Sequence, residues 1–134
     1  MNASTTSPHA VWPFHVGAAA DVAVGIGLVA LAPQLAGLVL PAHSEIAGLA
    51  TAGILRGLGI VLILFAVETV IVARAQGSLA RFRSWVVAAN WATVALVVIL
   101  LATVSPAFSA IGIAALAAIG LFVAGITFLQ QKAL

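Results

Sequence analysis

Residues Ala50–Arg74, ATAGILRGLGIVLILFAVETVIVAR, decide the fold class. Between Arg56 and Arg74 the only polar side chains are Glu68 and Thr69. The two arginines are about five helical turns apart, so they share one face with their Cα atoms about 27 Å apart, close to the thickness of a bilayer's hydrocarbon core. Ile60, Ile63 and Val67 lie between them on that face, which reads as a lipid-facing stripe with a charge at each end. Glu68 falls about 120° away, on the face that carries Gly53, Gly57 and Leu64. Small residues let helices approach closely, and an acid inside a span normally faces protein, so this second face is expected to point into a bundle.

The rest of the chain fits a membrane setting. Of its 134 residues 64% are hydrophobic, with five Lys or Arg and three Asp or Glu, a composition too apolar for a soluble domain of this size to bury. The calculated pI of 10.7 rests on those few cations, and Arg74, Arg81 and Arg83 share one short segment. Such clustering points to topology and anionic headgroups; nothing interleaves aromatic and basic residues as nucleic-acid binding requires. The absence of cysteine excludes disulfides, thiolate metal sites and cysteine nucleophiles. The N-terminal segment has no Lys or Arg before its first apolar run, and that run contains Asp21, so it does not read as a cleaved signal.

The expected fold class is all-α, a transmembrane up-down four-helix bundle. Residues 1–12 read as a disordered tail and 13–134 as one domain, with spans at about 14–32, 50–73, 85–104 and 108–129. Trp12 and Phe14 suit headgroup level, Pro33 should end or kink the first helix, and Gln34–Leu40, too short to span, is expected to lie at the interface or to continue a kinked helix. Pro41–Ser44 reads as a turn whose Ser44 could cap a helix starting as early as Glu45, and Ser105-Pro106 as a break. Four spans put both termini and the 74–84 loop on one side. That side holds Arg74, Arg81, Arg83 and Lys132, so the expected location is the cell inner (cytoplasmic) membrane, multi-pass, with both termini cytoplasmic. Arg56, near the opposite end, is expected to snorkel.

Counting inward from the ends of the spans places Asp21, Glu68, Asn90 and Thr127 in one layer, roughly 8–11 Å below the boundary. Two carboxylates in such a layer cannot both ionise cheaply, so a proton or a cation would bridge Asp21 and Glu68, with Asn90 and Thr127 completing the site. The bland alternative is that the same groups join helices by hydrogen bonds. His9, His15 and His43 lack metal-ligand spacing, and there is no phosphate loop, HExxH or Ser-His-Asp grouping. No catalytic residue, metal or cofactor is expected.

Certain short motifs carry a resemblance. Asp21 with Gly25, Leu40-Pro41, Leu55-Arg56-Gly57-Leu58-Gly59, Ala73-Arg74, Asn90-Trp91 and the closing Leu129-Gln130 resemble those of small bacterial four-span integral membrane proteins of uncharacterised function. The resemblance covers roughly 17–134. Here Trp91 follows Asn90 directly where that group leaves a gap, and Phe128 stands where it often has an acid. The resemblance implies the architecture and transfers no reaction. Three functions follow as expectations: a non-enzymatic helix-packing protein, as homo-oligomer or accessory subunit of a membrane partner; a proton-coupled or cation-binding carrier using Asp21 and Glu68; and a small lipid-acting enzyme. The bilayer itself is the common partner, and nucleic acid is not one.

Overall fold

The structure is a computed structural model and describes residues 11–39, 45–46, 49–103 and 108–134. Five α-helices make up the fold: α1 (Trp12–Ala30), α2 (Ala32–Val39), α3 (Thr51–Arg74), α4 (Arg83–Thr103) and α5 (Ala110–Lys132). All but α2 are long and apolar enough to cross a membrane, so the chain is an all-α bundle and a multi-pass membrane protein by helix length and composition. Large apolar side chains stay uncovered on the outside, among them Leu121 at 76% and Leu64 at 60% exposure, as a lipid-facing surface requires.

Helix α1 starts at Trp12, with Pro13 in its first turn where a missing N–H costs nothing. It stops at Ala30 and α2 begins two residues later, so the chain has a one-residue break just before Pro33, and the described part of the apolar stretch, 34–39, belongs to a helix of its own. Backbone hydrogen bonds bridge the break on both sides, Leu31 N–H to Gly27 O and Leu35 N–H to Leu31 O, each 2.9 Å. The helix expected from Glu45 starts instead at Thr51. Glu45–Ile46 and Leu49–Ala50 form a two-residue antiparallel pairing ahead of it. The polar segment after α3 is partly helical, with a 3₁₀ turn over Gly77–Phe82 running into α4. The tail residues 1–10, the turn at 41–44 with Ser44, and the Ser105-Pro106 break lie outside the described residues.

The long helices form two antiparallel pairs, α1 with α3 and α4 with α5, and α1 also packs on α5. The first pair meets backbone to backbone. A Cβ on Gly25 would lie 2.7 Å from the Gly59 carbonyl oxygen, and one on Gly59 would lie 2.6 Å from that of Gly25, so only glycine permits this crossing. At the end carrying Arg74 and Arg83, Phe14 is fully buried with Ala73, Val86 and Val87. At the other end Ser109 caps α5 through the Gly112 N–H and donates its own hydroxyl to the Leu38 carbonyl at 2.7 Å. The Ser109 N–H adds a bond to Val39 O at 3.0 Å, which ties the start of α5 to the end of α2.

Candidate functional site

The polar side chains nearest the basic end of the bundle separate into an inner set and an outer one. On α3 the buried positions Thr51, Gly59, Ala66, Thr69 and Ala73 form one face. Glu68 points away from it, because two residues of α-helix turn through roughly 200°, which sets it about 160° from Ala66. It is exposed, as are Gly53, Gly57 and Leu64 beside it, and a Cβ at Gly53 or Gly57 would meet nothing within 4 Å. This corrects the expectation that the Glu68 face points inward: its neighbour Thr69 holds the inner position, 1% exposed, and Glu68 faces away from α1.

Depth separates the two acids as well. Gly25 crosses α3 at Gly59, so in an antiparallel pair Asp21 stands level with about Ile63. Glu68 is five residues further along, about 7–8 Å nearer the basic end. Asp21 is half-buried on the face of α1 that bears Gly17 and Gly25, and among the described residues no hydrogen bond or ion pair reaches its carboxylate. The structure therefore does not bring Asp21 and Glu68 together, and the four-membered layer expected from counting along the spans is not formed.

What does converge is a hydrogen-bonded clasp between α4, α5 and α1. Asn90 Nδ2 donates to Gln130 Oε1 at 2.8 Å, and Gln130 Nε2 donates to the Pro13 carbonyl at 3.3 Å. Gln130 is completely buried, and both ends of its amide are engaged, as a buried amide requires. Gly17 makes room for it: a Cβ there would come within 2.9 Å of Gln130 Nε2. One residue along, the Trp91 indole N–H donates to Gln131 Oε1 at 3.1 Å. Thr127, also fully buried, donates its hydroxyl to Val123 O in its own helix and joins no neighbour. Asn90 thus meets Gln130 rather than Thr127. In the sequence Gln130 stands out only within the closing Leu129-Gln130 motif, and neither it nor Gln131 is placed in the polar layer, although the small-residue face of α5 through Gly120, Ala124 and Thr127 runs towards them.

Among the described residues one buried side-chain polar atom, Thr69 Oγ1, has no hydrogen-bond partner. The basic residues divide by task. Arg83 is half-buried and reaches back to α3, donating to Val72 O (3.4 Å), Ala73 O (2.8 Å) and Ala75 O (3.1 Å). These carbonyls lie at the C-terminal end of α3, where Val72 O also accepts the Ala75 N–H, and the guanidinium complements the negative end of the helix. Arg81 lies over the Phe82 ring and Lys132 over that of Phe128, at 5.5 and 4.6 Å. Arg74 and Arg56 are exposed. His15 is half-buried near the start of α1; His9 and His43 lie outside the described residues. No group of three metal-ligating side chains exists among the described residues.

The chain matches no protein-family model, no curated protein and no solved structure. Its likeness to small four-span membrane proteins therefore rests on its four apolar helices and its short motifs.

Proposed function

We propose that the protein works by helix packing, with the outer face of α3 seated against a transmembrane helix of a second copy or of a partner membrane protein. One observation carries the proposal. Gly53 and Gly57, in GxxxG spacing, and the carboxylate of Glu68 share an uncovered face in a helix long enough to span. Small residues of that spacing support close helix contact, and an acid facing hydrocarbon is costly unless another chain or a proton satisfies it. The clasp at Gln130 favours the same reading, since Asn90 and Gln130 serve to join helices and leave no open coordination site.

In this reading the protein sits in the inner membrane of a bacterial cell with both termini cytoplasmic. Arg74, Arg81, Arg83 and Lys132 gather at one end of the bundle, which supports that orientation under the positive-inside bias. Native mass spectrometry after the mildest extraction, at two pH values, tests the packing proposal. A fixed oligomer or a bound partner that Gly57→Leu removes is the expected result. A strictly monomeric chain would refute it.

A second reading follows from Asp21, whose carboxylate has no partner among the described residues within a span. It would carry a proton or a cation without help from Glu68. In proteoliposomes, ion or proton flux abolished by Asp21→Asn and untouched by Glu68→Gln would establish it; flux indifferent to both would remove it.

A further inference from the structure

A groove of about 510 Å³ runs along the seam between α1 and α3. Its floor is two alanines, Ala18 and Ala66, which are 2% and 1% exposed. Its walls include Val22 on α1 and Val67 and Ile71 on α3, and among the described residues that line it His15 is the only polar one. Because α1 and α3 each lack a large side chain at the seam, the groove stays open along helices that lie in hydrocarbon. Neither Asp21 nor Glu68 lines it.

The charge at its end is specific. His15 lies one turn from the start of α1, at the basic end of the bundle. On α3, Val67, Ile71 and Arg74 follow at i, i+4 and i+7, so Arg74 stands on the groove's own face, one turn beyond its last lining residue. The other cations at this end are engaged: Arg83 with the carbonyls of α3, Arg81 and Lys132 with aromatic rings. Arg74 is exposed and makes no hydrogen bond, ion pair or ring contact among the described residues.

We infer that this seam is a binding site for one anionic phospholipid, with an acyl chain in the groove and the phosphate held by Arg74 and His15. The apolar channel suits a hydrocarbon tail. A guanidinium matches a phosphate's acceptors by geometry, and an imidazole N–H donates whether or not the ring is charged. A zwitterionic lipid would fill the same groove but gain less at its end, since its net charge is zero. The site is independent of whatever covers the Gly53–Glu68 face.

The test uses the full chain in vesicles of phosphatidylcholine and phosphatidylglycerol in equal amounts, released for native mass spectrometry. The wild type is expected to retain one lipid per chain, with phosphatidylglycerol favoured about fivefold, the preference one cation confers at an anionic surface. Arg74→Gln should keep the lipid and lose the preference, while Lys132→Gln changes neither. Ala19→Phe, at an exposed position lining the groove, should lose the lipid; Val67→Phe on the opposite wall answers the same question if the first variant does not fold. Equal retention of the two lipids by the wild type, or lipid retained unchanged by a folded groove-filling variant, would overturn the assignment and mark the lipid as adventitious. Chain number is read from the same spectra, so a failure of helix packing is seen separately from a failure of lipid binding.

Discussion

The inner and outer faces of α3 use much the same residues to opposite ends. The inner face has Gly59, Ala66 and Ala73 with two neutral polar side chains, Thr51 and Thr69; the outer face has Gly53, Gly57 and Leu64 with the one acid, Glu68. At Gly59 the backbone of α1 is so near that a methyl group cannot be added. At Gly57 there is open space. Small residues therefore mark where a helix can be approached closely, and only the structure tells which approach is completed within the chain. In lipid, where covered and uncovered faces are equally apolar, polarity does not make that distinction.

The difference can be broken or sharpened by substitution, and the effects should fall in a definite order. Gly59→Leu is the most damaging, because the clash is with backbone rather than with a movable side chain; at least ~3 kcal/mol of bundle stability should be lost, read from a denaturant titration in bicelles. Gln130→Ala removes two hydrogen bonds and leaves a buried cavity, costing about 2 kcal/mol by the same titration. Gln130→Glu is the sharper probe there: it keeps the volume but removes the donor to Pro13 O, so it should also destabilise, whereas a mere space-filling role predicts no change. Arg83→Ala should cost about 1 kcal/mol, with faster hydrogen exchange confined to the last turn of α3. Gly57→Leu should leave the stability of a single chain within ~0.5 kcal/mol and abolish association. Thr69→Val, which replaces an unpartnered hydroxyl by a methyl of the same shape, should be neutral or slightly stabilising; a clear loss would mean that the hydroxyl has a partner in the membrane.

The four long helices were legible because uninterrupted apolar runs of this length have few other folded solutions. The break at Pro33 was legible as chemistry; whether the chain beyond it lies at the interface or continues as a kinked helix was not, because a short apolar stretch fits both. The inward face of α3 was misread for the reason just given: two adjacent positions, Glu68 and Thr69, compete for the interior, and an ionisable group is by default placed with protein. The polar layer was misread because depth was counted from terminal charges as if all ended at one plane. In the structure Asn90 meets Gln130, three residues beyond Thr127, and Asp21 stands about five residues deeper than Glu68. A long-range pairing of this kind depends on helix register, which no single span encodes.

The hydroxyl of Ser109 reaches a carbonyl in α2 that precedes it by 71 residues. Together with the bond from Gln130 to Pro13, 117 residues apart, it means that the last helix fastens both ends of the first third of the chain. During synthesis, then, the bonds to the Pro13 and Leu38 carbonyls can form only once α5 has entered. The α1–α3 pair can close on its glycines, and α2 can pack on α3, before that. A ribosome stalled before α5 would leave those contacts possible and the two carbonyls unmet, so the last span adds the hydrogen-bonded fastening rather than the first contact.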